Sequence, residues 1–233
     1  MHPLITPEKV VIYDKEHWSF LKRLRKRAIV ILGLLLQGGI KGILYGSIAR
    51  GDVRKGSDVD IVVLRPTLPS LIEDLLSEKL GDPLYKEIVQ STPIGAIKGY
   101  FHYEENLTIS FPLSPLKERE ELFYKFGGSI DLHKLKKDVR VPGVNKKLVL
   151  ILPFEKGHYE VSVVGKESVV ADILGIPKEV IDERVRVLTK RREKGKTGVY
   201  LKYRLQPGET FESALRKIML RRKGTRGRLA GLI

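Results

Sequence analysis

The chain has 233 residues, enough to bury one large core or two modest ones, and its 42% hydrophobic and 30% charged content is that of a folded globular protein. It contains no cysteine, which excludes disulfides, thiolate chemistry and cysteine-ligated zinc, and its five histidines show no metal spacing. Lysine and arginine total 43 against 28 acids; the resulting +15 favours a polyanionic partner, nucleic acid above all, whereas a thermophile's ion-paired surface would call for balanced signs. The longest apolar run, AIVILGLLL from Ala28, is too short to cross a bilayer, and MHPLITPEKV is not a secretory leader. A cytoplasmic protein with no membrane partner is expected.

The first element is a helix over Asp14–Gln37, with Asp14 as N-cap and Gly38-Gly39 as its stop. Its first half is amphipathic and basic, and its second half is apolar nearly all round. GILY then reads as a short buried strand ending at Gly46-Ser47, followed by one helical turn over Ile48–Gly51. DVDIVVL is the next strand, closed by Arg65-Pro66. A helix over Ser70–Leu80 breaks at Gly81-Asp82-Pro83, and LYKEIVQ (Leu84–Gln90) is a third strand. Ala96–Tyr103 and Leu107–Leu113 form a hairpin around EEN, with Leu107, Ile109, Phe111 and Leu113 alternating onto one face. SPLKEREELFYKFGG is a helix capped by Ser114, with Pro115 at its first position and glycines as its stop. The polar, basic segment Ser129–Lys147, around Pro142-Gly143, reads as a domain boundary. Beyond it come strands KLVLILP and HYEVSVV, two helices, a strand in GVYLKYRL, a helix over Phe211–Leu220 and a basic tail.

The segment LYGSIARGDVRKGSDVDIVVL, residues 44–64, carries the chemistry. Strand alternation puts Asp58 and Asp60 on one face, where two unpaired carboxylates repel unless a cation joins them. Magnesium answers that need, because it takes hard oxygen ligands and keeps sites for substrate phosphates. Gly46 and Ser47 supply a close-approaching backbone and a hydroxyl for phosphate oxygens. Arg50, on the first helical turn, and Lys55 are candidate triphosphate partners, Lys55 with the competing reading of a solvated loop lysine.

GSIARGDVRKGSDVDIVV resembles the signature of the DNA polymerase β-type nucleotidyltransferase superfamily, and especially its minimal nucleotidyltransferases. The resemblance covers residues 44–64 firmly and extends loosely to Gln90. It implies an α/β core with a mixed sheet, two Mg2+ ions at Asp58 and Asp60, and transfer of a nucleoside monophosphate from a triphosphate such as ATP to a hydroxyl. It also implies a third carboxylate from a later strand. Glu87 falls where that residue would align, Glu104 and Glu105 are the alternatives, and LTISFPL offers only Thr108 and Ser110.

Farther on, Ala171, Gly175 and Ile181 have the spacing of a helix-turn-helix, with Val170, Leu174 and Ile176 at its seam, Pro177 opening the second helix and GVYLKYRL as a wing strand. The second helix turns Val180, Ile181, Val185 and Leu188 inward and carries Arg184, Lys190, Arg191 and Lys194, candidates for a phosphate backbone. The expected architecture is an archaeal-like nucleotidyltransferase domain over residues 1–140 and a basic, winged-helix-like nucleic-acid-binding domain over 141–233. RNA or tRNA is the favoured acceptor and DNA a possible partner. A non-catalytic nucleic-acid-binding regulator and a protein-modifying (AMPylating) enzyme are the alternatives.

Overall fold

The computed structural model describes residues 5–195 and 198–221. A strand that the sequence reading did not include, β1 (Lys9–Ile12), precedes α1 (Lys15–Gln37). Asp14 caps α1 by accepting from the His17 backbone N–H at 2.7 Å. Leu21, Leu24, Ala28, Ile31, Leu32 and Leu35 recur every three or four residues and form its buried side. Next come β2 (Gly42–Tyr45), the single-turn α2 (Ser47–Arg50), β3 (Val59–Val63), α3 (Pro69–Leu80), β4 (Tyr85–Gln90), β5 (Ile97–Tyr103) and β6 (Leu107–Pro112). The following helix, α4 (Glu118–Gly127), starts later than expected. Ser114 Oγ accepts from Ile97 N instead, and the Glu120 carboxylate takes the Lys117 and Ala96 N–H groups. The segment read as a boundary is structured: it holds β7 (Ser129–Asp131), α5 (Leu132–Lys136) and β8 (Gly143–Val144). The chain continues through β9 (Val149–Phe154), β10 (Gly157–Ser162), α6 (Glu167–Leu174), α7 (Lys178–Lys194), β11 (Leu201–Arg204) and α8 (Phe211–Arg221).

Seven strands make one mixed sheet in the order β11-β4-β5-β6-β3-β2-β7, in which only β3 and β6 run parallel. Val59, Ile61, Val63, Ile109, Phe101 and Phe111 are buried on one face under α1 and α8, in a core that also takes in Ile72 and Leu76 of α3. Asp60 and its neighbours point to the opposite face. Four strands make a second sheet, β1-β10-β9-β8. Leu150, Val161 and Val163 there share a smaller core with Val170, Ala171, Ile176, Val180 and Ile181 of the α6–α7 pair and with Phe126 of α4.

Both expected helices of the pair are present, with Gly175 between them at φ +59. The expected wing is not. Leu201, Tyr203 and Leu205 alternate onto the large core, so β11 pairs with β4, and α8 follows it into the same core. A division at residue 140 therefore does not follow the two cores: β1 belongs to the second sheet, while β11 and α8 belong to the first. The basic tail beyond Arg221 lies outside the described residues.

Candidate active site

The mouth of β3 and the end of β2 meet at one end of the large sheet, where Asp60 pairs with Tyr45 across the antiparallel register. Gly46 follows at φ +88, and a Cβ added there would lie 4.0 Å from an Asp60 carboxylate oxygen. That glycine serves two needs, a backbone angle that side chains rarely adopt and a turn lying directly against a carboxylate. Its N–H donates to Gly128 O at 2.8 Å, which ties the turn to the end of α4.

A cavity of about 340 Å³ opens here, lined by Gly46, Ser47, Arg54, Ser57, Asp58, Asp60 and, from across the molecule, Asn145, Lys146 and Lys147. The second sheet supplies these last three residues, because β8 approaches the α4 stop very closely. A Cβ on Gly143 would come within 2.5 Å of Gly128 N. The Asn145 side chain accepts from the N–H groups of Lys147 and Val149, and Arg192 of α7 donates to Lys147 O at 2.9 Å, so the lysine turn is braced.

Asp58 is exposed and Asp60 half-buried, and among the described residues neither pairs with a lysine or arginine. Burial first, and then the Asp58 charge, push the Asp60 carboxyl up from 3.8 to about 6, while Lys146 pulls the other way. Tyr45, half-buried beside them, is pushed up to about 12, chiefly by desolvation.

The other candidates are distributed as follows. Ser47, Asp58 and Asp60 come together. Arg50 lines the same cavity but is 5% exposed and tied to the protein: it forks onto Asp52 at 2.9 and 3.1 Å and donates to Gly127 O. It braces the turn, with its charge already paired by Asp52. Lys55 is exposed and does not line the cavity.

Glu87 does not join the aspartates, because β5 and β6 lie between β4 and β3. Its carboxylate pairs with Lys202 at 3.1 Å and lies 3.5 Å from His102. Glu104 and Glu105 belong to the α1 side, where Arg27 holds their carbonyls and pairs with the Glu105 carboxylate at 3.1 Å. Among the described residues no three histidine, aspartate or glutamate side chains converge on a point. The strand beside β3 gives Asp60 only Thr108 as its partner.

On α7, Arg184 falls three residues after Ile181 and therefore turns inward, stacked 4.6 Å from the Phe123 ring centroid. Lys190, Arg191 and Lys194 are exposed. Lys146 and Lys147 escaped the sequence reading. The only signal was a basic pair in a turn after Pro142-Gly143, and nothing in its spacing ties it to Asp58.

Acids and lysines thus line one cavity between the two sheets. A family model for the nucleotidyltransferase domain matches residues 15–187, and the chain belongs to that family. No curated protein and no solved structure gives a match. Among the described residues no helix is long and apolar enough to cross a membrane.

Proposed function

We propose that this chain is a magnesium-dependent nucleotidyltransferase that moves a nucleoside monophosphate from a nucleoside triphosphate to a hydroxyl on RNA, tRNA included. The observation that carries the reading is the cavity itself, in which Asp58 and Asp60 face Ser47, Lys146 and Lys147. The donor set fits magnesium. Two carboxylates that among the described residues have no lysine or arginine partner, in an open cavity, are the hard ligands this ion takes while keeping sites for phosphate oxygens. Asp58 and Asp60 would hold it, and when bound it supplies positive charge to the attacking and leaving oxygens.

The chain's own residues do the rest. Ser47 and the Gly46 turn hold phosphate oxygens on the β2 side of Asp60, and Lys146 and Lys147 neutralise the triphosphate from above. Arg50 keeps the turn in place through Asp52 and Gly127. The acceptor hydroxyl gives its proton to solvent water as its oxygen bonds to the α-phosphorus, and the bond to pyrophosphate, the leaving group, breaks. The acceptor class follows from the formal charge of +15 and from the exposed Lys190, Arg191 and Lys194 on α7.

One observation favours a second reading, a nucleotide-binding regulator without transfer. The third carboxylate lining the cavity, Asp52, is held by Arg50, and among the described residues no three acids or histidines gather where they could hold a metal. Incubation with each labelled triphosphate, magnesium and total RNA separates the two. Label on RNA, lost in Asp58→Asn and Asp60→Asn, supports the enzyme. Triphosphate binding without transfer supports the regulator, and label on protein redirects the acceptor.

A further inference from the structure

A second cavity, a groove of about 650 Å³, opens on the α1 side of the large sheet, between α1, the C-terminal end of α3 and the β5–β6 turn. That volume suits a small molecule. The groove shares no lining residue with the Asp60 cavity. Helix periodicity brings Arg23, Lys26, Arg27 and Val30 to one face of α1, and that face is one wall. Lys79 and Leu80 of α3 join it, with Asp82 and Leu84 from the loop into β4. Val30 is 39% and Leu84 60% exposed, so the groove keeps apolar surface uncovered.

Tyr103, the last residue of β5, also lines the groove. It is 6% exposed, and among the described residues its buried hydroxyl has no hydrogen-bond partner. Burial first, and then the Glu73 and Asp82 carboxylates, push the phenol up, so it stays a neutral donor. A buried hydroxyl without a partner is unfavourable, and an acceptor on a ligand would satisfy it.

The charges around the groove divide into occupied and free ones. Arg27 is occupied: it donates to Glu104 O and Glu105 O at 3.0 Å each and pairs with the Glu105 carboxylate at 3.1 Å. Arg23, Lys26 and Lys79 are exposed, and among the described residues no carboxylate pairs with them; Arg23 lies 5.1 Å from the Phe20 ring centroid. Asp82 and Glu104 are likewise exposed, and among the described residues neither carboxylate pairs with a lysine or arginine.

We propose that this groove binds a single nucleotide, a nucleoside monophosphate, at a site separate from the Asp58–Asp60 cavity. The phosphate meets Arg23, Lys26 and Lys79, and the base lies against Val30 and Leu84. The sugar hydroxyls donate to Asp82 or Glu104, and Tyr103 donates to an acceptor on the base edge. A nucleic-acid strand is disfavoured, because Asp82 and Glu104 would repel its flanking phosphates. The site goes beyond the transfer reading and does not depend on it.

The test is equilibrium dialysis of labelled AMP against the full chain in EDTA. Val30→Trp fills the groove, Lys26→Ala combined with Lys79→Ala removes two exposed cations, and Tyr103→Phe removes only the hydroxyl. The first two should weaken AMP binding at least about tenfold, and Tyr103→Phe about 2- to 10-fold, the worth of one hydrogen bond. Without ligand, Tyr103→Phe should melt no lower than the parent, because the hydroxyl it loses had no partner to satisfy. The melting-temperature shift produced by magnesium and ATP should be the same in all three variants.

No AMP binding by the parent at millimolar concentration overturns the inference. So does binding that survives both Val30→Trp and the double lysine variant, whose exposed positions leave the fold intact. AMP binding lost in Lys147→Ala puts the nucleotide in the Asp60 cavity and overturns it as well. An RNA oligonucleotide that binds in the groove where AMP does not makes it a strand site instead. Each of these results is separate from nucleotide transfer, which Asp60→Asn tests.

Discussion

Asp60→Asn removes a charge from a position where burial and Asp58 both oppose it. The folded carboxyl sits at about 6 against an ordinary 3.8, so the fold prefers it protonated. A group raised in this way contributes stability that is fully present below the unfolded value and lost as pH rises through the folded one. The gap of about two units, at 1.36 kcal/mol each, sets a ceiling of roughly 3 kcal/mol that Asp60 costs the metal-free protein above pH 6. An asparagine loses about 1 kcal/mol of that in imperfect hydrogen bonding, leaving a net gain of about 1–2 kcal/mol. For a chain of this size that is a rise in melting temperature of about 2–8 °C. Calorimetry in EDTA at pH 8 should show the gain, and most of it should be gone at pH 4. Adding magnesium should raise the parent protein and leave the variant nearly unmoved. A variant that is no more stable than the parent at pH 8, or a gain that is the same at both pH values, refutes the argument.

Lys146→Ala and Lys147→Ala should each raise KM for the triphosphate about tenfold, a charged interaction of about 1.4 kcal/mol, with kcat changed much less; steady-state kinetics reads the split. Glu87→Gln should leave transfer within about tenfold of the parent, whereas Asp58→Asn should lower it by at least about a hundredfold, because only the aspartate lies in the cavity. Replacing Lys190 and Arg191 by alanine should flatten the log–log salt dependence of RNA binding by roughly one unit for each phosphate no longer neutralised. Arg184→Ala should instead destabilise the fold by about 1–2 kcal/mol through the lost packing on Phe123, seen as a lower melting temperature, with the salt slope unchanged.

Much of the first core was legible because its elements announce themselves locally. Asp14 and Gly38 bound α1, and the alternation of Leu107, Ile109 and Phe111 marks β6. The Gly46–Ser47 turn and the aspartate pair were likewise readable, since a few residues fix both spacing and face. What escaped was set by partners distant in sequence. β1 has no periodicity long enough to register and exists by pairing with β10. GVYLKYRL was correctly a strand, but no local property says that its partner is β4 rather than the helix pair. Glu87 has a suitable chemistry and a suitable place in the chain, but the intervening hairpin strands β5 and β6 separate it from Asp60. Arg50 looked like a free cation until Asp52, two residues on, proved to hold it.

The path of the chain between the two cores governs where it can be cut. It starts in the small sheet with β1, builds most of the large sheet, returns for β8–β10 and the helix pair, and closes the large core with β11 and α8. A protein trimmed to residues 15–187, the span of the family match, would keep every residue of the cavity. It would nonetheless lose β1, β11 and α8, and Phe101 and Phe111 would no longer be covered by Phe211. β4 and β10 would become bare sheet edges, each with a row of unpaired N–H and C=O groups that invites pairing with another chain. Such a fragment should come out of expression aggregated, so this fold behaves as one cooperative unit even though its hydrophobic side chains fall into two clusters.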